Sequence, residues 1–176
     1  MEKAHKKKKL FVTPVGLLKF NNLKQAAMFG AETVPSFKTT LSISIDESEK
    51  LLSDVNDELV KLGKGHLNVA FKTDKNNPGN VLINFRLKSK INLQGGTSVT
   101  RHVDLSSANN IDLDSLSEIP MNSKGQVIFS LYPYSIPKLN KEGVQLQLHA
   151  VKIMELGTGS VSYANLFDAA DETEEF

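Results

Sequence analysis

The chain has 176 residues, enough for one domain with extensions and a core that needs no covalent staples. It has no cysteine, which excludes disulfides and thiolate chemistry, and no apolar run approaches the about 20 residues of a membrane helix. A net charge of +1 hides an asymmetry: Asp168, Asp171, Glu172, Glu174 and Glu175 crowd into the last nine residues, leaving 21 bases against 15 acids on residues 1–167.

The N-terminus is basic, with Lys3 close to the run Lys6–Lys9. No apolar segment with a small-residue cleavage site follows, so it does not read as a secretory signal. A soluble intracellular protein is expected. A basic body with an acidic tail has two readings: a tail that competes with an anionic ligand, or two solvated ends that aid solubility.

The first clear element is "SFKTTLSISI". Phe37, Thr39, Leu41, Ile43 and Ile45 alternate with Ser36, Lys38, Thr40, Ser42 and Ser44, the pattern of a half-buried strand. Asp46 with Glu49 resembles a capping box, and Leu51, Leu52, Val55, Leu59 and Leu62 recur at helical spacing up to Gly63. A helix over about 46–62 follows. "DKNNPGN" reads as a loop.

"VLINFRLKSKINL" has period two and predicts one long strand, with Val81, Ile83, Phe85, Leu87, Ile91 and Leu93 on one face. "QGG" turns the chain, and "TSVTRHVDL" is its expected hairpin partner. Ser123-Lys124-Gly125 turns the chain into "QVIFSLY". In the last strand, Val144–Leu156, the apolar phase slips between Leu148 and Val151, which predicts a β-bulge. Long bent strands around one inserted helix predict a small closed or sharply curled barrel. "GTGSVS" reads as a flexible link into the tail.

No catalytic or metal motif is visible. His5, His66, His102 and His149 are scattered, without metal-ligand neighbours at helical spacing. Gly157-Thr158-Gly159 lacks the third glycine of a dinucleotide loop, and Gly63-Lys64-Gly65 lacks the rest of a phosphate loop. Asp112 and Asp114 lack the glycine and glutamate of a calcium loop. A non-enzymatic protein without a cofactor is expected.

What the sequence does offer is a cation row beside aromatics. On a strand, Arg86, Lys88 and Lys90 project from one face about 6.6–6.8 Å apart, close to the phosphate spacing of an extended single strand. Lys38 lies on the polar face of a second strand. "SLYPYSIP" places Tyr132 and Tyr134 around Pro133, which is expected to break the ladder and leave the rings at a rim. Tyr132 falls opposite the core set Val127, Phe129 and Leu131; the pattern does not place Tyr134. Phosphates need cations and bases need flat rings, so the pair of signals points to single-stranded nucleic acid. Phe20 and Phe29 are weaker stacking candidates, while Phe37, Phe85 and Phe129 read as core.

Residues 127–156, "VIFSLYPYSIPKLNKEGVQLQLHAVKIMEL", resemble the C-terminal hairpin of the single-stranded DNA-binding proteins of T-seven-type podophages. "LFVTPVG", "FKTTLSISI" running into the helix, "INFRLKSKI" and an acidic end on Phe176 occur in the same order. The resemblance implies an OB-fold, a five-stranded Greek-key barrel, over residues 10–156. A basic arm (1–9) would precede it, and a linker with a flexible acidic tail (157–176) would follow. It implies a homodimer that coats single-stranded DNA in a phage replisome, in the cytoplasm of the infected bacterial host. Arg86 and Tyr134 would be DNA contacts. Asp168, Asp171, Glu172, Glu174, Glu175 and Phe176 would dock the phage DNA polymerase and primase-helicase, and the tail would fold over the groove when DNA is absent. Set against this are a purely structural virion or scaffold barrel and an RNA-binding barrel of the cold-shock sort.

Overall fold

The computed structural model describes residues 8–30, 33–67 and 69–157. The N-terminal lysines before Lys8, the "GTGSVS" link from Thr158 onward and the acidic tail lie outside the described residues. In chain order the elements are β1 (Phe11–Val12), β2 (Gly16–Ala27), β3 (Ser36–Ser44), α1 (Ile45–Lys61), β4 (Lys72–Thr73), β5 (Asn80–Lys88), β6 (Lys90–Asn92), β7 (Ser98–Thr100), β8 (Asp104–Ser107), β9 (Ser123–Ile136) and β10 (Lys141–Glu155).

The five long strands form a cycle. They follow the order β9, β2, β3, β5, β10, and β10 pairs back onto β9. The β5–β10 contact is parallel and the other four are antiparallel. This is an OB-like barrel, mainly β with one inserted helix, as the sequence predicts. The cycle closes where Gly16 of β2 faces Gly125 of β9. A Cβ on Gly16 would stand 2.4 Å from the Ser42 carbonyl oxygen, and one on Gly125 2.8 Å from that of Lys152. Only glycines let the backbones approach so closely.

The core face of β3 is as expected, with Phe37, Thr39, Leu41 and Ile43 buried, but Ser36 and Ser42 of the opposite face are buried too, Ser42 against Asp74. Phe85 and Phe129 lie 5.0 Å apart at the barrel centre, with Phe11 stacked on Phe129 at 5.3 Å. Leu51, Val55 and Leu59 of α1 join the same core. The helix starts earlier than its capping signal suggests. Ser44 is the N-cap: its Oγ accepts the Glu47 N–H at 3.2 Å and donates to Glu47 Oε1 at 3.2 Å. The N-cap is therefore Ser44 rather than Asp46. Gly63, at φ 72°, ends the helix as expected.

Three expectations are corrected. "VLINFRLKSKINL" is not one strand. Ser89 donates from both its N–H (2.9 Å) and its hydroxyl (2.7 Å) to the Pro35 carbonyl, and this clamp ends β5. The chain then leaves the barrel as the β6–β7 ribbon, and Leu93 becomes 48% exposed. "TSVTRHVDL" divides between two partners: β7 pairs with β6, while β8 runs parallel to β10. Pro133 does not break the ladder, because pairing with β10 continues to Ile136 opposite Lys141. Beyond Phe129 no described strand other than β10 pairs with β9, and such an edge tolerates a proline. The predicted bulge is present: the register shifts between Leu148 and Ala150, with His149 as the extra residue.

The "DKNNPGN" loop has a structural role the sequence does not announce. Asp74 is buried, and its carboxylate accepts from the Ser42 hydroxyl (2.7 Å), the Asn77 amide (3.0 Å) and the Asn76 N–H (3.0 Å). Burial pushes its pKa up, but these donors and Lys19 outweigh it, so the group titrates below the usual carboxylate value.

Candidate nucleic-acid interface

A cleft of about 1130 Å³ runs over the outer faces of β3 and β5 and against the β9–β10 hairpin. Its floor follows from the register. Lys38 of β3 is directly opposite Arg86 of β5, and Thr40 opposite Asn84, the latter pair joined by a 2.7 Å hydrogen bond. Arg86 Nε donates to Ser36 Oγ at 3.2 Å, which fixes the guanidinium along the strand. On its other side Arg86 is in register with Gln147 of β10. Inward residues of β3 and β5 fill the core, so their polar partners must face outward.

Of the sequence-predicted residues, Lys38, Arg86, Lys88, Tyr132 and Tyr134 all line this cleft. Tyr132 is 48% exposed on the face opposite the core, as alternation predicts, and Tyr134 is half-buried. Lys90 does not line the cleft: it belongs to β6, past the Ser89 clamp. The equal spacing of Arg86, Lys88 and Lys90 in sequence is thus not an equal spacing on one strand. The tail residues Asp168, Asp171, Glu172, Glu174, Glu175 and Phe176 lie outside the described residues. Phe20, 44% exposed, also lines the cleft and meets Phe29 edge-on at 6.2 Å. Lys38 Nζ stands 3.8 Å from the centre of the Phe29 ring, a cation–π contact at the cleft rim.

Sequence reasoning missed Lys72 and Lys141, which complete the lining. Lys72 sits in two-residue β4 and Lys141 at the hairpin end, so neither belongs to a periodic run. The described lining thus brings together Lys38, Lys72, Arg86, Lys88 and Lys141 and contains no carboxylate. Five cations around four exposed or half-exposed rings, Phe20, Phe71, Tyr132 and Tyr134, form a surface that can take phosphates and bases together.

A smaller cationic group lies past Tyr132. Lys8 Nζ is 5.2 Å from the centre of the Tyr132 ring and donates to Gln147 Oε1 at 3.4 Å. Arg101 Nε donates to the Lys88 carbonyl at 3.0 Å; burial lowers its pKa, partly offset by Tyr132. His149 Nε2 is 2.7 Å from Ser130 Oγ. Burial, then the charges of Lys8 and Arg101, hold its pKa below the ordinary histidine value. Among the described residues no three His, Asp or Glu side chains converge as metal donors, and no helix is long and apolar enough to cross a membrane.

No protein-family model matches the chain, and no curated protein does. Solved structures do. The fold is similar to that of gp2.5, a single-stranded DNA-binding protein encoded by bacteriophage T7, with a TM-score of 0.63 and 18% identity, covering 92% of this chain and 94% of that one. It is also similar to the single-stranded DNA-binding protein of bacteriophage Enc34 in complex with single-stranded DNA, with a TM-score of 0.61 and 15% identity, covering 91% and 99%. A C-terminal truncation of the Enc34 protein matches at a TM-score of 0.61 and 14% identity, over 85% and 87%. The chain therefore has the barrel fold found in phage single-stranded DNA-binding proteins.

Proposed function

We propose that this protein binds single-stranded DNA without sequence preference, laying the backbone along the cation-lined cleft and stacking bases on Tyr132, Tyr134 and Phe20. The observation that carries this reading is the cleft lining: five cations and no carboxylate among its described residues, interleaved with aromatic rings. Base–aromatic stacking contributes about 1–3 kcal/mol per base and tolerates any base. The two phage proteins that share the fold are single-stranded DNA-binding proteins, which supports the reading.

The sequence resemblance to the phage single-stranded DNA-binding proteins extends the proposal to a wider role. The protein coats DNA in a phage replisome, in the cytoplasm of the infected bacterium, as a homodimer and without catalysing a reaction. Its acidic tail competes with DNA for the cleft. Phe176 supplies an apolar anchor that docks the phage DNA polymerase and primase-helicase.

The direct test is a fluorescence titration with oligo-dT. Binding should weaken steeply with salt, by about 0.7 log unit per neutralised phosphate for each tenfold rise. Absence of binding even at low salt sinks the proposal. Arg86→Ala combined with Lys88→Ala should weaken binding and flatten the salt slope; an unchanged slope puts the groove elsewhere.

A further inference from the structure

We infer that the outer face of β9 and β10 beyond Tyr132 is a second phosphate subsite, formed by Lys8, Arg101 and His149, which continues the path of the strand out of the cleft. This inference rests on the reading of the cleft as a single-stranded DNA site. The register places the parts. Tyr132 pairs with Gln145 and Ser130 with Gln147, so Tyr132, Ser130 and Gln147 belong to neighbouring positions of one ladder. Tyr132 lines the cleft, and Lys8 stands over the same ring. Arg101 is held to the Lys88 carbonyl, so it extends the cleft's own cation row. His149 is the bulged residue, turned by the extra position onto Ser130, which is fully buried.

The cluster is electrostatically incomplete. Lys8 and Arg101 both disfavour the charged form of the partly buried His149. Among the described residues no acid forms an ion pair with any of the three. The groups around them are Tyr132 and Ser130 from β9, Arg86 from β5 opposite Gln147, and Asp104 from β8. Asp104 is exposed and in register with Ala150. A phosphate fits this set. It offsets two fixed cations and accepts a hydrogen bond from an imidazolium, so it favours the protonated ring that burial and the neighbouring cations disfavour.

Binding a strand here therefore takes up a proton at His149. Affinity rises as pH falls through the range where bound and free His149 differ in protonation, by at most about tenfold per pH unit for one proton. Lysine, arginine and tyrosine do not titrate between about pH 5.5 and 8.5, so the cleft alone gives no such slope.

The test is an oligo-dT titration at fixed ionic strength from pH 5.5 to 8.5. Wild-type affinity should climb as pH falls. His149→Gln should remove the climb, so that its affinity falls furthest below wild type at pH 5.5 and least at pH 8.5. His102→Gln, whose ring lies 6.1 Å from Phe37, should keep the climb. Lys8→Gln with Arg101→Gln should lower affinity at every pH and reduce the salt slope. A pH slope that survives His149→Gln, with binding intact, overturns the subsite and leaves the cleft reading standing. Loss of binding at every pH in wild type overturns the cleft reading and the subsite with it. Proton NMR of His149 tests the subsite without a mutation: its midpoint should move up when oligo-dT is added, and an unmoved midpoint overturns the proposal.

Discussion

The phenol of Tyr134 lies over Gly143, its partner across the β9–β10 ladder: a Cβ on Gly143 would stand 2.4 Å from the Tyr134 hydroxyl oxygen. The glycine leaves room that the ring occupies, which holds Tyr134 half-buried at the cleft wall instead of swinging free. Alternation cannot place this tyrosine, because its position is set by what Gly143 lacks.

Gly143→Ala should therefore act through Tyr134. The new methyl forces the ring off the strand, and the hairpin, paired along its whole length, should remain folded. Oligo-dT affinity should fall about as far as in Tyr134→Ala, within the roughly 1–3 kcal/mol that a stacked base contributes. The measurement is a titration of both variants beside thermal melts. Unchanged affinity in both would remove Tyr134 from the DNA site.

Lys88 and Lys90 separate the strand reading from the structure. A continuous strand makes them equivalent phosphate contacts. The Ser89 clamp puts Lys88 on the cleft wall and Lys90 on the β6–β7 ribbon. Lys88→Ala should reduce the salt slope by about 0.7, the value for one single-strand phosphate, and Lys90→Ala by much less. Equal reductions would show that the bound strand crosses the ribbon as well.

How far the sequence carried can be judged at these same residues. Period-two alternation located β3, β5 and the outward face of Tyr132, because a half-buried strand writes its burial directly into the chain. The phase slip at Leu148–Val151 located the bulge for the same reason. Alternation runs on through Ser89, however, since a clamp made by one serine and a distant proline carbonyl leaves no periodic trace. Lys72 and Lys141 reach the cleft from a two-residue strand and a hairpin end, where no window is long enough to show a face. The N-cap was misplaced by two residues because Ser44-x-x-Glu47 and Asp46-x-x-Glu49 are both well-formed signals. Only the path of the preceding strand decides between them.

Asp74→Asn tests the buried loop anchor. Asn76 and Asn77 donate to the two oxygens of Asp74, and Ser42 donates to the second of them. An amide turns a donor toward these donors and leaves one unsatisfied, at a cost of about 1–3 kcal/mol. The cost should depend on pH with a definite sign. A carboxyl whose native pKa is depressed stabilises the fold above its unfolded pKa of about 3.9 and loses that contribution as pH falls through the lower native value. Urea midpoints of wild type and variant should thus differ most at neutral pH and draw together as pH falls through the native value of Asp74. A gap that is independent of pH would mean that shape, not charge, fixes the loop.

Removing residues 168–176 probes the competition between tail and DNA. The segment carries five acids and no base, while the described cleft lining carries five cations and no acid, so the two surfaces are complementary in charge. If the tail competes for the cleft, its deletion should tighten oligo-dT binding at low salt, and the gain should shrink as salt screens the attraction. Phe176→Ala keeps every side-chain charge and should leave DNA affinity within about twofold of wild type, while abolishing the docking to a replication polymerase and primase-helicase proposed above. Separate effects of the two changes would assign competition to the charges and recognition to the ring. An unchanged affinity on deletion at low salt would show that tail and DNA use different surfaces. The cleft cations would then serve DNA alone.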